Sequence, residues 1–183
     1  MRKVLYILGQ LGDEDIEWLI ANGRRERVPA GAVLIHEGRT IDAVYVVLDG
    51  LLSVATAALQ DKDLAQLGAG EIVGEMSFVD ARPPSASVRA RRDSLVLAIP
   101  RSRLAAKLEQ DVAFAARFYR AVAVFLSDRL RNTVSRFGYG GGGGLDENVT
   151  YDDELDEGVL DNVHLAGARF QRILQRLAGE SPS

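Results

Sequence analysis

Residues 70–90, GEIVGEMSFVDARPPSASVRA, pack two Gly-Glu pairs ahead of a Pro-Pro-Ser-Ala-Ser run, and they lie inside a region of distinctive texture. From Val28 to Ile99, short β-branched runs (AVLIH, AVYVVL, LLSVAT, SASVRA, SLVLAI) alternate with Gly and Asp turns. Turns at that spacing predict an all-β sandwich or barrel, here a β-roll or jelly roll of about eight strands. Asp49-Gly50, between two such runs, is a strong hairpin signal.

On either side of this region the period becomes helical. Asp13 is placed to cap a helix through Ala21, with Ile16, Leu19 and Ile20 at helical spacing and Gly23 closing it. After Pro100, RSRLAAKLEQ predicts a short helix, and Asp111 to Phe137 runs without Gly or Pro. The long segment carries Phe114, Phe118, Val122, Phe125, Leu126, Leu130, Val134 and Phe137 on an i, i+3/i+4, i+7 stripe. Between Ala113 and Leu126 only Arg117 and Arg120 are charged, so this helix is apolar on more than one face. A homodimer through residues 111–137, with Phe118 and Phe125 at its interface, is the expected arrangement; coverage of both faces by the C-terminal segment of the same chain is the alternative. GYGGGGG (138–144) and LDENVTYDDELDEG (145–158) form an expected linker, 138–158, followed by an amphipathic docking helix over 159–179. Its stripe, Val159 to Leu177, is expected to meet another protein, with the chain's own body and a neighbouring subunit as the other options.

Composition excludes several classes. The chain has no cysteine, so thiolate chemistry and disulfides are absent, in keeping with a cytoplasmic location. Neither the N-terminal MRKVLYILGQLG nor any other run is long enough for a secretory signal or a membrane span. Residues 1–144 carry 19 basic and 17 acidic groups, and residues 145–183 three and nine, which puts the net negative charge in the tail. That distribution argues against nucleic-acid binding. Arg89, Arg91 and Arg92 read as a solvated strand face. The two histidines, His36 in a strand and His164 in the tail, provide neither a metal cluster nor an activated serine, so the chain reads as non-enzymatic.

The order of N-terminal helix, β-roll with PAG, EG and DG turns, GEIVGEMSF, SASVRA and two C-terminal helices resembles the cyclic-nucleotide-binding domain of catabolite-activator-type regulators and protein kinase A regulatory subunits, over about residues 10–137. Gly70 to Ala90 is similar to that family's phosphate-binding cassette. The resemblance implies a cyclic nucleotide, cAMP or cGMP, as ligand, held by Gly74, Glu75, Met76, Ser77, Arg82, Ser85 and Ala86. Gly74 would turn the chain into a short helix whose free N–H groups face the phosphate. Glu75 would either accept a ribose hydroxyl or cap cassette amides. Nine residues after that Glu the family places an arginine that forks onto the phosphate; this chain has Pro84, with neither a side-chain donor nor a backbone N–H. Arg82, in the same loop, either swings toward the phosphate or stays a solvated charge. The tail is similar to that of cyclic-nucleotide-binding-like proteins found beside bacteriocin-type peptide exporters. Together these features imply a regulatory or accessory protein acting through protein contacts with a degenerate pocket; a true nucleotide sensor is the alternative.

Overall fold

A computed structural model describes residues 5–59, 63–138 and 157–178. Helices α1 (Leu5–Gln10) and α2 (Asp13–Asn22) precede eight strands: β1 (Arg24–Val28), β2 (Val33–Ile35), β3 (Ala43–Asp49), β4 (Leu52–Ala55), β5 (Asp63–Leu67), β6 (Ile72–Val73), β7 (Ser87–Ala90) and β8 (Ser94–Pro100). Helix α3 (Glu75–Asp80) interrupts the strands between β6 and β7, and α4 (Arg101–Gln110), α5 (Val112–Gly138) and α6 (Glu157–Ala178) follow them. The strands form two antiparallel four-stranded sheets, ordered β1-β8-β3-β6 and β2-β7-β4-β5. This is the expected jelly roll.

The first sheet is covered on both faces, which is why β3 and β8 read as almost unbroken apolar runs. Val44, Val46, Leu48, Leu97 and Ile99 point to the helices, whereas Val47 and Val96 join Val28, Ile35, Leu52, Leu67 and Val88 between the sheets. Asp49-Gly50 is a corner, contrary to the hairpin expectation: β3 belongs to one sheet and β4 to the other. Gly50 takes φ 109° there, and a Cβ would lie 2.2 Å from Ser94 Oγ, so only glycine lets this corner reach the start of β8. Asp13 is not the cap of α2 either. Gly12 precedes the helix, and its N–H donates to the Asp15 carboxylate at 2.6 Å. His36 falls just past β2, exposed.

Helix α5 has the two apolar faces expected, but Phe118 and Phe125 are not on the free one. Phe114, Phe118, Ala121, Val122 and Phe125 are buried against the chain's own core. Val112, Ala116, Tyr119, Ala123 and Leu130 are exposed on the other side, with half-buried Leu126 completing a stripe spaced four and three residues in alternation. The expectation that α6 offers its apolar stripe to another protein is likewise corrected for its described half. Ala166, Ile173 and Leu177 are buried in the cluster formed with α1, α2 and α5, because the groove between α1 and α2 lies open to a helix with that periodicity. Val134 and Phe137 of α5, and Val159, Leu160, Val163 and His164 of α6, have side chains outside the described residues, as does the expected linker from 139 to 156.

One buried ion pair ties the N-terminal helices to α5. Asp15, 2% exposed, accepts from Arg117 Nε at 2.6 Å and from Nη2 at 2.8 Å. Burial alone would raise its pKa, but the Arg117 bonds and then the Gly12 N–H outweigh it and hold the carboxyl below its ordinary 3.8. A depressed acid contributes stability above its unfolded pKa and loses it as pH falls through the folded one. Arg117→Met should therefore lower stability at pH 7 by about 1.5–3 kcal/mol in urea unfolding. The gap between variant and parent should close as the pH is taken well below 3.8.

Candidate functional site

The two Gly-Glu pairs of the opening stretch do different work. Gly70 and Gly74 both adopt positive φ, 80° and 89°. Glu71 bends back to accept the Gly68 N–H at 2.5 Å, which closes the turn from β5 into β6. Glu75 instead begins α3 and is 2% exposed at the floor of a cavity of about 310 Å³. A Cβ on Gly74 would lie 2.7 Å from Ile41 Cδ1, so the turn that aims α3 admits glycine alone. The helix ends at Ala81, whose φ of 57° is the one positive value at a non-glycine residue among the described residues.

All seven residues expected at the site, Gly74, Glu75, Met76, Ser77, Arg82, Ser85 and Ala86, line this cavity. Ser77 is buried, Ala86 half-buried, and Met76, Arg82 and Ser85 exposed. Sequence reading missed Ile35, Val54, Val73 and Val88, one from each of β2, β4, β6 and β7, which form the apolar wall, and Asp80 at its rim. Those valines and the isoleucine carry no local signal, since strand alternation marks them only as inward-facing. The cavity lies at the lower end of the volume range of ligand sites, with apolar walls and a few convergent polar groups.

Pro84 also lines the cavity. Its carbonyl accepts the Gly38 N–H at 2.8 Å, while the Glu37 N–H donates to Ser87 Oγ at 3.0 Å. Glu37 in turn accepts from Thr56 Oγ1 and from the Ala57 N–H. The loop after β2 is thus laced to the Pro-Pro segment and the start of β7. Arg82 lines the cavity, as do Glu75 and Asp80. Its backbone N–H donates to Asp80 Oδ1 at 3.0 Å, and its guanidinium makes no ion pair among the described residues.

From the cavity a run of aromatic contacts leads outward. Phe78 of α3 meets Phe118 of α5 edge-on at 6.0 Å between ring centroids; Phe118 stacks on Phe114, and Phe114 packs against Trp18 of α2. Arg101 of α4 lies over the Phe78 ring and donates to the Ser77 carbonyl at 3.0 Å. Elsewhere Arg91 pairs with Asp63, and Arg92 donates to the Gly50 carbonyl. No group of three or more His, Cys, Asp or Glu side chains placed to hold a metal occurs among the described residues, nor is any described helix long and apolar enough to cross a membrane.

Comparison with known proteins agrees with this geometry. Residues 25–111 match the family model described as the cyclic nucleotide-binding domain. An uncharacterized NTE family protein of Mycobacterium tuberculosis is 30% identical over 120 residues, which are 66% of this chain and 20% of the relative. The Cyclic AMP receptor protein of Thermus thermophilus is 33% identical over 91 residues, 49% of this chain and 42% of that protein. The chain thus spans only a fifth to two-fifths of the length of these relatives. Among solved structures, a cyclic nucleotide-binding domain from Methylobacillus flagellatus superposes with a TM-score of 0.68 at 24% identity, covering 78% of this chain and 85% of that one.

The turn into α3 should be intolerant of any side chain. Gly74→Ala is expected to cost about 1–2 kcal/mol from the positive φ alone, with the Ile41 contact adding to it. The measurement is the urea midpoint at unchanged m-value.

Proposed function

Starting from residues 25–111 as a cyclic-nucleotide-binding domain by fold and by family match, we propose that the chain is a non-enzymatic, cytoplasmic regulatory module that has lost its phosphate clamp and acts through protein contacts. The observation that carries this reading is Pro84. It stands in the cavity wall with its carbonyl engaged by Gly38, and the charged side chains around the cavity are Glu75, Asp80 and the exposed Arg82. A charge-assisted bond to a phosphate is worth about 1.5–3 kcal/mol, so its loss weakens a cyclic nucleotide by about 10- to 100-fold. An accessory role beside a peptide exporter is part of the same proposal and rests on the likeness of the tail sequence alone.

The protein contact we propose first is a second copy of the chain. The exposed Val112, Ala116, Tyr119, Ala123 and Leu130, with half-buried Leu126, follow the four-three spacing of a coiled-coil seam, with small alanines that let two helices approach closely. A sensor reading is supported by a different observation: the cavity remains open, and Phe78 joins α3 to Phe118 on the helix that carries the stripe. Ligand pressing on α3 would then reposition α5.

Thermal unfolding separates the two readings. Millimolar cAMP or cGMP should leave the parent melting temperature unmoved, whereas Pro84→Arg should create binding at least about tenfold tighter than the parent's. A rise of several degrees in the parent at micromolar nucleotide would overturn the clamp-loss reading in favour of the sensor. For the dimer, sedimentation at micromolar concentration should show a pair that Tyr119→Glu with Leu130→Glu converts to a folded monomer. A parent that is already monomeric would sink the dimer.

A further inference from the structure

Helix α6 is held by an unusual concentration of charge. Arg169 Nε donates to Asp13 Oδ1 at 2.8 Å, and its Nη1 donates to the carbonyls of Leu8 and Gly9 at the end of α1, both at 3.1 Å. Arg172 adds a second guanidinium to Asp13 at 3.3 Å, and Arg176 pairs with Glu17 at 2.7 Å. Arg25 of β1 donates to the Leu177 carbonyl near the end of the helix. Arg169 and Arg172 therefore grip Asp13 at the start of α2, Arg176 reaches Glu17 one turn further on, and Arg169 also holds two carbonyls near the end of α1, which is where cations are favoured. Beneath them Ala166, Ile173 and Leu177 fill the groove lined by Leu8, Leu11 and Ile16.

Two features make this a separable contact. The core between the sheets, Val28 to Val96, includes no residue of α6, whose buried side chains join only the helical core on the outer face of the first sheet. The seat is also braced from the opposite side: Asp15, two residues from Asp13, is clamped by Arg117 of α5 and by the Gly12 N–H. The seat thus has a brace that α6 does not supply. Arg169 is 13% exposed, but the other members of these ion pairs are peripheral, Asp13 at 57% and Arg176 at 63%, and salt screens such pairs. We propose that α6 is a strap that lifts off the α1–α2 groove as a unit while the β-roll stays folded, and that Arg169, Arg172 and Arg176 set how often it does. Lifting uncovers two complementary apolar surfaces, the stripe of α6 and its seat. How often they are uncovered is tuned by charge.

The absence of native cysteine permits a direct test on the full chain. Ala166→Cys places a thiol under the strap, and Val47→Cys places one in the inter-sheet core. Under native conditions the thiol at 166 should react with a labelling reagent faster than the thiol at 47. Arg169→Gln with Arg176→Gln, or 1 M sodium chloride, should speed labelling at 166 by about tenfold and leave that at 47 unchanged. Amide hydrogen exchange of the cysteine-free chain gives the same readout without a core substitution, α6 exchanging ahead of β3 and β8 and selectively faster in salt. Equal rates at the two thiols, or α6 amides that exchange only together with the strands, would show that the helix leaves only on global unfolding and would overturn the proposal. Labelling at 166 that ignores both salt and the arginine variants would overturn the charge latch.

Discussion

The constraint on which the molecule depends is that one of its sheets has no wet face. With β1-β8-β3-β6 packed on the second sheet by one side and on helices by the other, the chain must supply a continuous helical layer or leave Val44, Val46, Leu97 and Ile99 in water. Helices α1, α2, α4 and α5 satisfy that demand together with the buried side of α6. Because β6 is the last strand of this sheet and leads directly into α3, the cassette is pinned between the sheet and the layer covering it. Its Phe78 reaches Phe118 without any intervening element. Cavity and long helix are therefore neighbours by construction.

The cavity combines a fixed backbone frame with few charges. Positive φ at Gly74, the buried Glu75 and the wall from four strands are all in place. The Pro-Pro segment is even tied down, by Gly38 and by Glu37 through Ser87. The charged side chains of its lining are two carboxylates, Glu75 and Asp80, and the exposed Arg82. Shape and charge are separately encoded here, since backbone turns and β-branched walls set the first and single side chains set the second.

The helical layer carries charge of the opposite design. Asp15 is driven inward and matched bidentately by Arg117, a pairing that removes the penalty of burying a carboxylate. Asp13 is driven outward, half exposed, and shared by two arginines of α6. One turn of α2 thus serves as a fixed joint on one side and a screened, weaker grip on the other, while the far face of α5 is left bare.

Much of this was written locally and was legible as such. The β-texture from Val28 to Ile99, the turn and helix start at Gly74-Glu75 and the two-faced character of α5 follow from propensity, periodicity and residue chemistry, which act over a few neighbours. Tertiary structure alone decided that Asp49-Gly50 is a corner between sheets, because the clash of any Cβ there is with Ser94, far along the chain. It also decided which face of α5 is free: Phe118 and Phe125 look as suited to a partner as Tyr119 and Leu130 until Phe78 and α1 are packed against one set. The seat of α6 had no sequence signal, since an amphipathic stripe specifies that something must cover it and only the groove between α1 and α2 specifies what. The division is between interactions whose partners lie within one turn or strand of each other and those whose partners meet only after the chain has closed.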